Sequence, residues 1–283
     1  MGSFTDDEGV VISTVEWAVD DPRAVIQISH GIGEHAGRYA ALAADLNRAG
    51  FTVVADDHRG HGATGMAQWG DAAKLGSLGP GGLRATIAAI GRFRDLTKER
   101  FPDLPLVLVA HSWGSLMAQI ALNGRPDAYD GVVLTGTAYR LPGFMDAGDL
   151  NRRHRSLGTT GAEWLSRDPA VAQDWLRDPL TFPANTAKLI GMRDALRLLG
   201  RPGRRLPADL PLLLQVGSDD TLGGGRSVHR LARAYRERAG LRDVTVRVYE
   251  GARHEVFNET NRDEVIADLV GWIESHVLKG IRA

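Results

Sequence analysis

Leu106-Val107-Leu108-Val109-Ala110-His111-Ser112-Trp113-Gly114-Ser115 passes without a break from a continuous apolar run into a small-His-Ser-Trp-Gly sequence. The apolar run is too short for a helix and reads as a strand buried on both faces, and residues 116–122 are compatible with a helix. A strand that turns abruptly into a helix around a serine is the context of a nucleophile elbow. Such a turn holds its central residue in a strained backbone conformation, which is tolerated only where the residues two positions to either side are small. Here those residues are Ala110 and Gly114, so the pattern is Ala-x-Ser-x-Gly rather than Gly-x-Ser-x-Gly. Ser112 is thus expected at the carboxyl end of a sheet. The following helix would aim its free N–H groups and its dipole at the same spot, which suits a developing oxyanion.

With 283 residues the chain suffices for one large domain or a domain carrying an insertion. Its formal net charge of -1 gives no general attraction to nucleic acid or acidic membranes, so nucleic acid is not an expected partner. The absence of cysteine excludes disulfides, thiol catalysis and thiolate metal sites. Residues 1–9 carry Asp6, Asp7 and Glu8 and lack the basic-then-apolar pattern of a secretory leader, and no later apolar run matches a bilayer span. The expectation is a soluble, cytoplasmic protein.

Outward from the elbow, residues 10–19 alternate apolar and polar and read as a half-buried strand. Asp20-Asp21-Pro22-Arg23 is a turn leading to an apolar strand over 24–29, and these two strands are expected to pair as an antiparallel hairpin. His30-Gly31-Ile32-Gly33-Glu34-His35 follows at once, and its glycines let the backbone approach a ligand closely, leaving the Ile32 N–H free to point into a site beside Ser112. His30, Glu34 and His35 match no standard metal-ligand spacing and are read as structural hydrogen-bonding residues.

A helical pattern over 38–49 stops at Gly50, a buried strand covers 51–55, and residues 56–64 form a polar, glycine-rich loop. Leu83, Ile87, Ile90 and Phe93 mark one face of a helix ending near Arg100, and residues 129–135 form the strand after the elbow helix. This alternation indicates a mainly parallel sheet covered on both faces, an α/β architecture. It halts over 137–205, where several prolines and helically spaced apolar residues read as short helices inserted between 1–136 and 206–283. The insertion carries eleven Arg and one Lys against seven acidic residues, mostly a solvated helix face and otherwise a lid drawn to an anionic interface.

The sheet resumes over 211–216, followed by Gly217-Ser218-Asp219-Asp220-Thr221, a helix near 227–238, a strand over 244–249, the loop containing His254, and a final amphipathic helix. Serine hydroxyl is a poor nucleophile at neutral pH and needs a histidine to take its proton and a carboxylate to orient that histidine. Ser112, Asp220 and His254 all fall beyond carboxyl ends of strands, in the chain order of α/β-hydrolases. Asp219 shares the loop with Asp220, and spacing alone does not separate them. His58 and His61 follow an early strand and lack the position the base requires. The backbone N–H groups of Ile32 and Trp113 are the candidate oxyanion donors, and no metal is expected.

His30-Gly31-Ile32-Gly33-Glu34-His35 with Gly37-Arg38-Tyr39 forms one block, and Asp57-His58-Arg59-Gly60-His61-Gly62 a second. With His111-Ser112-Trp113-Gly114 and Gly251-Ala252-Arg253-His254-Glu255, Asn258 and Glu259, they resemble the monoacylglycerol lipase and lysophospholipase group of α/β-hydrolases. In that group the acid follows Gly-Ser-x-Asp, which maps onto Gly217-Ser218-Asp219-Asp220 and favours Asp220. The resemblance implies an eight-stranded sheet, a helical cap over the site, no cofactor, and hydrolysis of lipid esters with a single acyl chain. The basic insertion is where contact with a membrane or micelle, if made, would be made transiently. Ala110 and Trp113 replace the group's usual Gly and Met, Thr64 stands where Ser is common, and Gly223-Gly224-Gly225 is an unusual continuation after the acid. Trp113 and the divergent insertion keep a thioesterase, acyltransferase, lactonase or amide hydrolase in view, and the most distant alternative is a ligand-binding protein on the same fold.

Overall fold

A computed structural model describes residues 2–146, 148–183, 185–206 and 209–280. Its strands are β1 Ser3–Thr5, β2 Val11–Trp17, β3 Ala24–Ser29, β4 Phe51–Asp56, β5 Leu106–His111, β6 Gly131–Thr135, β7 Leu212–Gly217 and β8 Val244–Tyr249. They form one eight-stranded sheet in the order β1-β2-β4-β3-β5-β6-β7-β8, parallel from β4 to β8. The helices around it are α1 Ala40–Arg48, α2 Gly62–Trp69, α3 Gly82–Arg100, α4 Ser112–Gly124, α5 Pro169–Arg177, α6 Thr186–Ile190, α7 Met192–Arg197, α8 Gly224–Ala234 and α9 Arg262–His276. The fold is the α/β-hydrolase fold.

Alternation along the central strands explains why helices cover both faces. Val107 and Val109 of β5 pack with Leu42 and Leu46 of α1 and Leu269 and Ile273 of α9, whereas Leu106, Leu108 and Ala110 pack with Phe93 of α3, Leu122 of α4 and Leu231 of α8. A strand apolar at every position needs a cover on each side, and β3, β4, β5 and β7 are buried along their whole length.

The expected hairpin between 10–19 and 24–29 does not form. β2 pairs antiparallel with β4, placing Trp17 opposite Val53, and β3 pairs in parallel with both β4 and β5. The burial of β3 is the reason: its two edges are filled by β4 and β5, and the half-exposed β2 is displaced toward the sheet edge. The loop expected over 56–64 ends early, because residues 62–64 already form the first turn of α2, and the three-residue β1 extends the sheet beyond β2.

Between β6 and β7 the chain carries α5, α6 and α7, and several contacts pin this stretch across the carboxyl edge of the sheet. The Phe182 N–H donates to Gly33 O at 3.0 Å, His35 Nε2 lies 2.8 Å from Asp178 Oδ2, and the Glu255 N–H donates to Leu165 O at 2.8 Å. No helix among the described residues is long and apolar enough to cross a membrane.

Candidate active site

Ser112 lies where β5 becomes α4, with a backbone φ of 51°, in a left-handed region that a residue with a side chain seldom occupies. The space around it shows why the flanking residues are small. A Cβ on Gly114 would stand 2.4 Å from Ser29 O and 2.5 Å from His30 O, and one on Gly31 would stand 3.0 Å from Ser112 Cβ. Ala110 is buried in the core on the α4 face, where its methyl group is accommodated. The Ser115 hydroxyl donates to Ser112 O at 2.6 Å and so braces the turn from inside the helix.

Asp220 and His254 follow β7 and β8. His254 Nδ1 is 2.9 Å from Asp220 Oδ1, which also accepts the Leu222 N–H at 2.9 Å. Asp219 takes no part: its carboxylate is half-exposed and lies near Arg153. The other ring nitrogen, His254 Nε2, is buried without a hydrogen-bond partner. His254 and Ser112 line one cavity together with Gly31, Ile32, Trp164 and Trp175, and no hydrogen bond joins Ser112 Oγ to Nε2. Burial works against a charge on His254, yet the adjacent Asp220 carboxylate prevails and holds the imidazole pKa above its ordinary value.

Neither the Ile32 nor the Trp113 backbone N–H has a hydrogen-bond partner among the described residues. For Trp113 this follows from its place in the first turn of α4, whose N–H groups lack carbonyls four residues back within the helix. Both residues also line a second, more apolar cavity that opens from Ser112 toward Leu116, Met145 and Leu198.

The loop carrying Ile32 is held by a buried carboxylate. Glu34 Oε1 accepts the Gly31 N–H at 2.6 Å and the Tyr39 hydroxyl at 2.8 Å, and Arg38 donates to Glu34 Oε2 at 2.8 Å. Arg38 also binds both oxygens of Glu255, the residue after His254. Burial opposes the Glu255 charge, but Arg38 holds its pKa down to about 2. This network was not read from the sequence. Its signal was the four-residue spacing of Glu34 and Arg38 together with a carboxylate directly after the histidine.

His30, His58 and His61 have structural partners. His30 Nδ1 is 2.7 Å from Gly31 O, and its Nε2 accepts the His58 N–H at 2.9 Å. His58 lies between Asp56 Oδ2 at 2.7 Å and Ser29 Oγ at 3.0 Å, a serine, histidine and aspartate in line but wholly buried behind Gly114. His61 Nδ1 is 2.9 Å from Arg59 O, and the ring stacks on Trp113. Burial keeps His30 well below its ordinary pKa and lowers His61 to about 3 and His111 to about 4, so these rings are neutral at pH 7.

Trp164 is a neighbour that sequence reading missed: its ring lies 4.7 Å from that of His254, and its carbonyl accepts the His254 N–H. Arg253 anchors the same stretch by donating to Glu163 O at 2.6 Å and Ser166 O at 2.8 Å.

The sequence matches the serine aminopeptidase S33 family over residues 20–261. The chain belongs to this family of α/β-hydrolases, and within it to the monoacylglycerol lipase group. It is 32% identical to a monoacylglycerol lipase of Mycolicibacterium smegmatis over 97% of each chain. It is 30% identical to the human monoglyceride lipase over 89% of this chain and 82% of that one. Among solved structures, a thermostable carboxyl esterase from Bacillus coagulans in complex with glycerol superimposes with a TM-score of 0.84 at 26% identity, covering 97% of each chain.

Proposed function

We propose that this ester hydrolase cleaves monoacylglycerols and related single-chain lipid esters through an acyl-serine intermediate. Ser112 is the nucleophile, His254 the base and Asp220 the group that orients it. The observation that carries the assignment is the His254 ring, which is held at Nδ1 by Asp220, has its Nε2 unpartnered, and lines one cavity with Ser112. The assignment requires the Ser112 hydroxyl to meet this nitrogen during the reaction. His254 takes the proton as Oγ attacks the ester carbonyl, then delivers it to the leaving alcohol. It next takes a proton from water, which attacks the acyl carbon, and returns it to Ser112 as the acid departs. The Ile32 and Trp113 N–H groups bind the oxyanion, a role in which each donor is worth roughly 3–4 kcal/mol in comparable sites.

Residues 137–205 are read as a cap and the remainder as the hydrolase core. Trp164 and Trp175 from this stretch line the Ser112–His254 cavity, and Met145 and Leu198 line the apolar one, as suits an acyl chain. Leu157, Leu176, Met192 and Leu196 of this stretch are exposed, and they are the apolar surface proposed to meet a lipid aggregate transiently.

Purified protein is to be assayed on monoacylglycerols, short p-nitrophenyl esters, thioesters, lactones and amides. The expected result is turnover of monoacylglycerols and simple esters that Ser112→Ala abolishes. No ester turnover, or turnover unchanged in Ser112→Ala, contradicts the assignment, and a preference for thioesters, lactones or amides overturns the substrate class.

A further inference from the structure

Arg140 is 2% exposed and makes no ion pair with a carboxylate among the described residues, so its charge is buried without a counter-ion. A buried charge is costly unless its N–H groups find acceptors, and here the acceptors lead toward Ser112. Arg140 Nη1 donates to Leu198 O at 2.6 Å, and Nε donates to Gln119 Oε1 at 3.2 Å. From its other end, Gln119 Nε2 donates to Thr137 Oγ1 at 3.0 Å and to Ala138 O at 3.1 Å. A guanidinium N–H only donates and a carbonyl only accepts, which fixes the orientation of the Gln119 amide from both ends.

Thr137 Oγ1 lies 2.8 Å from Ser115 Oγ, which lies 2.6 Å from Ser112 O. Each hydroxyl has one proton, and the Ser112 carbonyl has none to give. The Ser115 proton therefore goes to Ser112 O, and the Thr137 proton fills the contact between the two hydroxyls. The reverse order would leave the buried Thr137 proton without an acceptor. Every bond thus runs one way, from the guanidinium through Gln119, Thr137 and Ser115 to the carbonyl of Ser112. Gln119 is 1% exposed and Ser115 and Thr137 are 0% exposed, so the chain lies out of solvent, where successive hydrogen bonds polarise one another.

The Ser112 carbonyl shares one planar peptide unit with the Trp113 N–H. A hydrogen bond on the oxygen raises the double-bond character of the C–N bond and leaves the N–H a stronger donor. We propose that Arg140 is a positioning residue for ester cleavage, its charge relayed through Gln119, Thr137 and Ser115 to strengthen the Trp113 N–H toward the oxyanion. This rests on the reading of Ser112 as nucleophile and of the Trp113 N–H as oxyanion donor.

Thr137→Val keeps the shape of the side chain and removes the hydroxyl link, and Arg140→Met removes the charge. One oxyanion donor is worth about 10²–10³ in kcat, so weakening it by about 10–30% lowers kcat about two- to eightfold. Both variants should show that loss with KM for a p-nitrophenyl ester unchanged. They should weaken binding of an alkyl trifluoromethyl ketone, which adds to the nucleophile and forms an oxyanion, by the same factor. They should also move the Trp113 amide proton upfield in the free enzyme. Thr137→Ser keeps the hydroxyl and should restore all three values. Where Arg140→Met does not fold, Gln119→Met, which severs the guanidinium from Thr137, decides in its place. A change in KM alone, a ketone affinity that does not follow kcat, an unmoved amide proton, or Thr137→Ser as impaired as Thr137→Val overturns the relay. In the wild type the ketone should draw the Trp113 amide proton downfield. If it does not, the oxyanion assignment fails and the relay with it, whereas a wild-type shift with unaltered ketone affinity in Thr137→Val overturns the relay alone.

Discussion

Arg38 grips both carboxylate oxygens of Glu255, at 2.6 and 2.9 Å, and this pair ties the loop carrying Ile32 to the loop carrying His254. With Glu34 on its other side, the guanidinium lies between two buried carboxylates. The distance between the candidate oxyanion donors and the candidate base is thus set by a three-charge cluster.

Arg38→Met would leave Glu34 and Glu255 buried without their counter-ion. Removing one partner of a buried pair typically costs about 3–5 kcal/mol. Urea denaturation should show a loss of that order, whereas Glu34→Gln, which retains an acceptor for Gly31 and Tyr39, should lose clearly less. Equal losses would show that the cluster does not act as a charge network.

The ester-cleavage rate should follow the ionisation of His254, the proposed base, which can accept a proton only when neutral. Because its pKa is raised, kcat/KM of the free enzyme should climb with pH through a midpoint above 6.5, the ordinary value. In Asp220→Asn the carboxylate that raises it is gone and burial remains, so the midpoint should move to lower pH while kcat falls by roughly 10⁴, as in serine proteases. A midpoint that stays in place would separate Asp220 from the base.

Stability should fall as the solution is acidified from neutrality, before ordinary carboxylates protonate. His61 and His111 have folded pKa values of about 3 and about 4 against 6.5 unfolded, so the unfolded chain binds more protons in between. The stability they supply is fully present above 6.5 and is lost as pH drops toward those folded values. The slope approaches about 1.4 kcal/mol per pH unit for each histidine. His254, with its raised pKa, acts in the opposite sense, contributing below 6.5 and losing that contribution as pH rises through its folded value. Unfolding free energies at pH 7.5, 6 and 5 should fall in the wild type and fall less in His61→Gln. An identical slope in the two proteins would contradict the assignment.

Two glycine substitutions should act in opposite directions. A methyl on Gly114 would press on Ser29 O and His30 O, so Gly114→Ala should cost about 1–3 kcal/mol and most of the ester turnover. Gly91→Ala meets nothing and should stabilise the protein by about 1 kcal/mol with turnover unchanged. Thermal melts and an ester assay on the pair check both signs.

Much of the sheet was legible because its central strands are apolar runs that only two-sided burial accommodates. The elbow was legible because steric rules at Ala110, Ser112 and Gly114 act over five residues. The pairing of β2 with β4 was not, since it joins segments more than thirty residues apart and nothing in the turn at Asp20 to Arg23 reveals it. Spacing alone did not separate Asp219 from Asp220, neighbours of one residue type, and only the resemblance favoured Asp220; backbone direction sends one to solvent and the other to His254. Trp164 escaped notice because its contact with His254 depends on how the connecting stretch folds back, anchored by Arg253.

Labelling with a fluorophosphonate ester, followed by peptide mass mapping, tests the proposed chemistry most directly. The reagent should add one phosphonyl group to Ser112, ester hydrolysis should cease in proportion, and His254→Ala should slow labelling by several orders of magnitude. Labelling at another serine, or full ester turnover with Ser112 modified, would contradict the account.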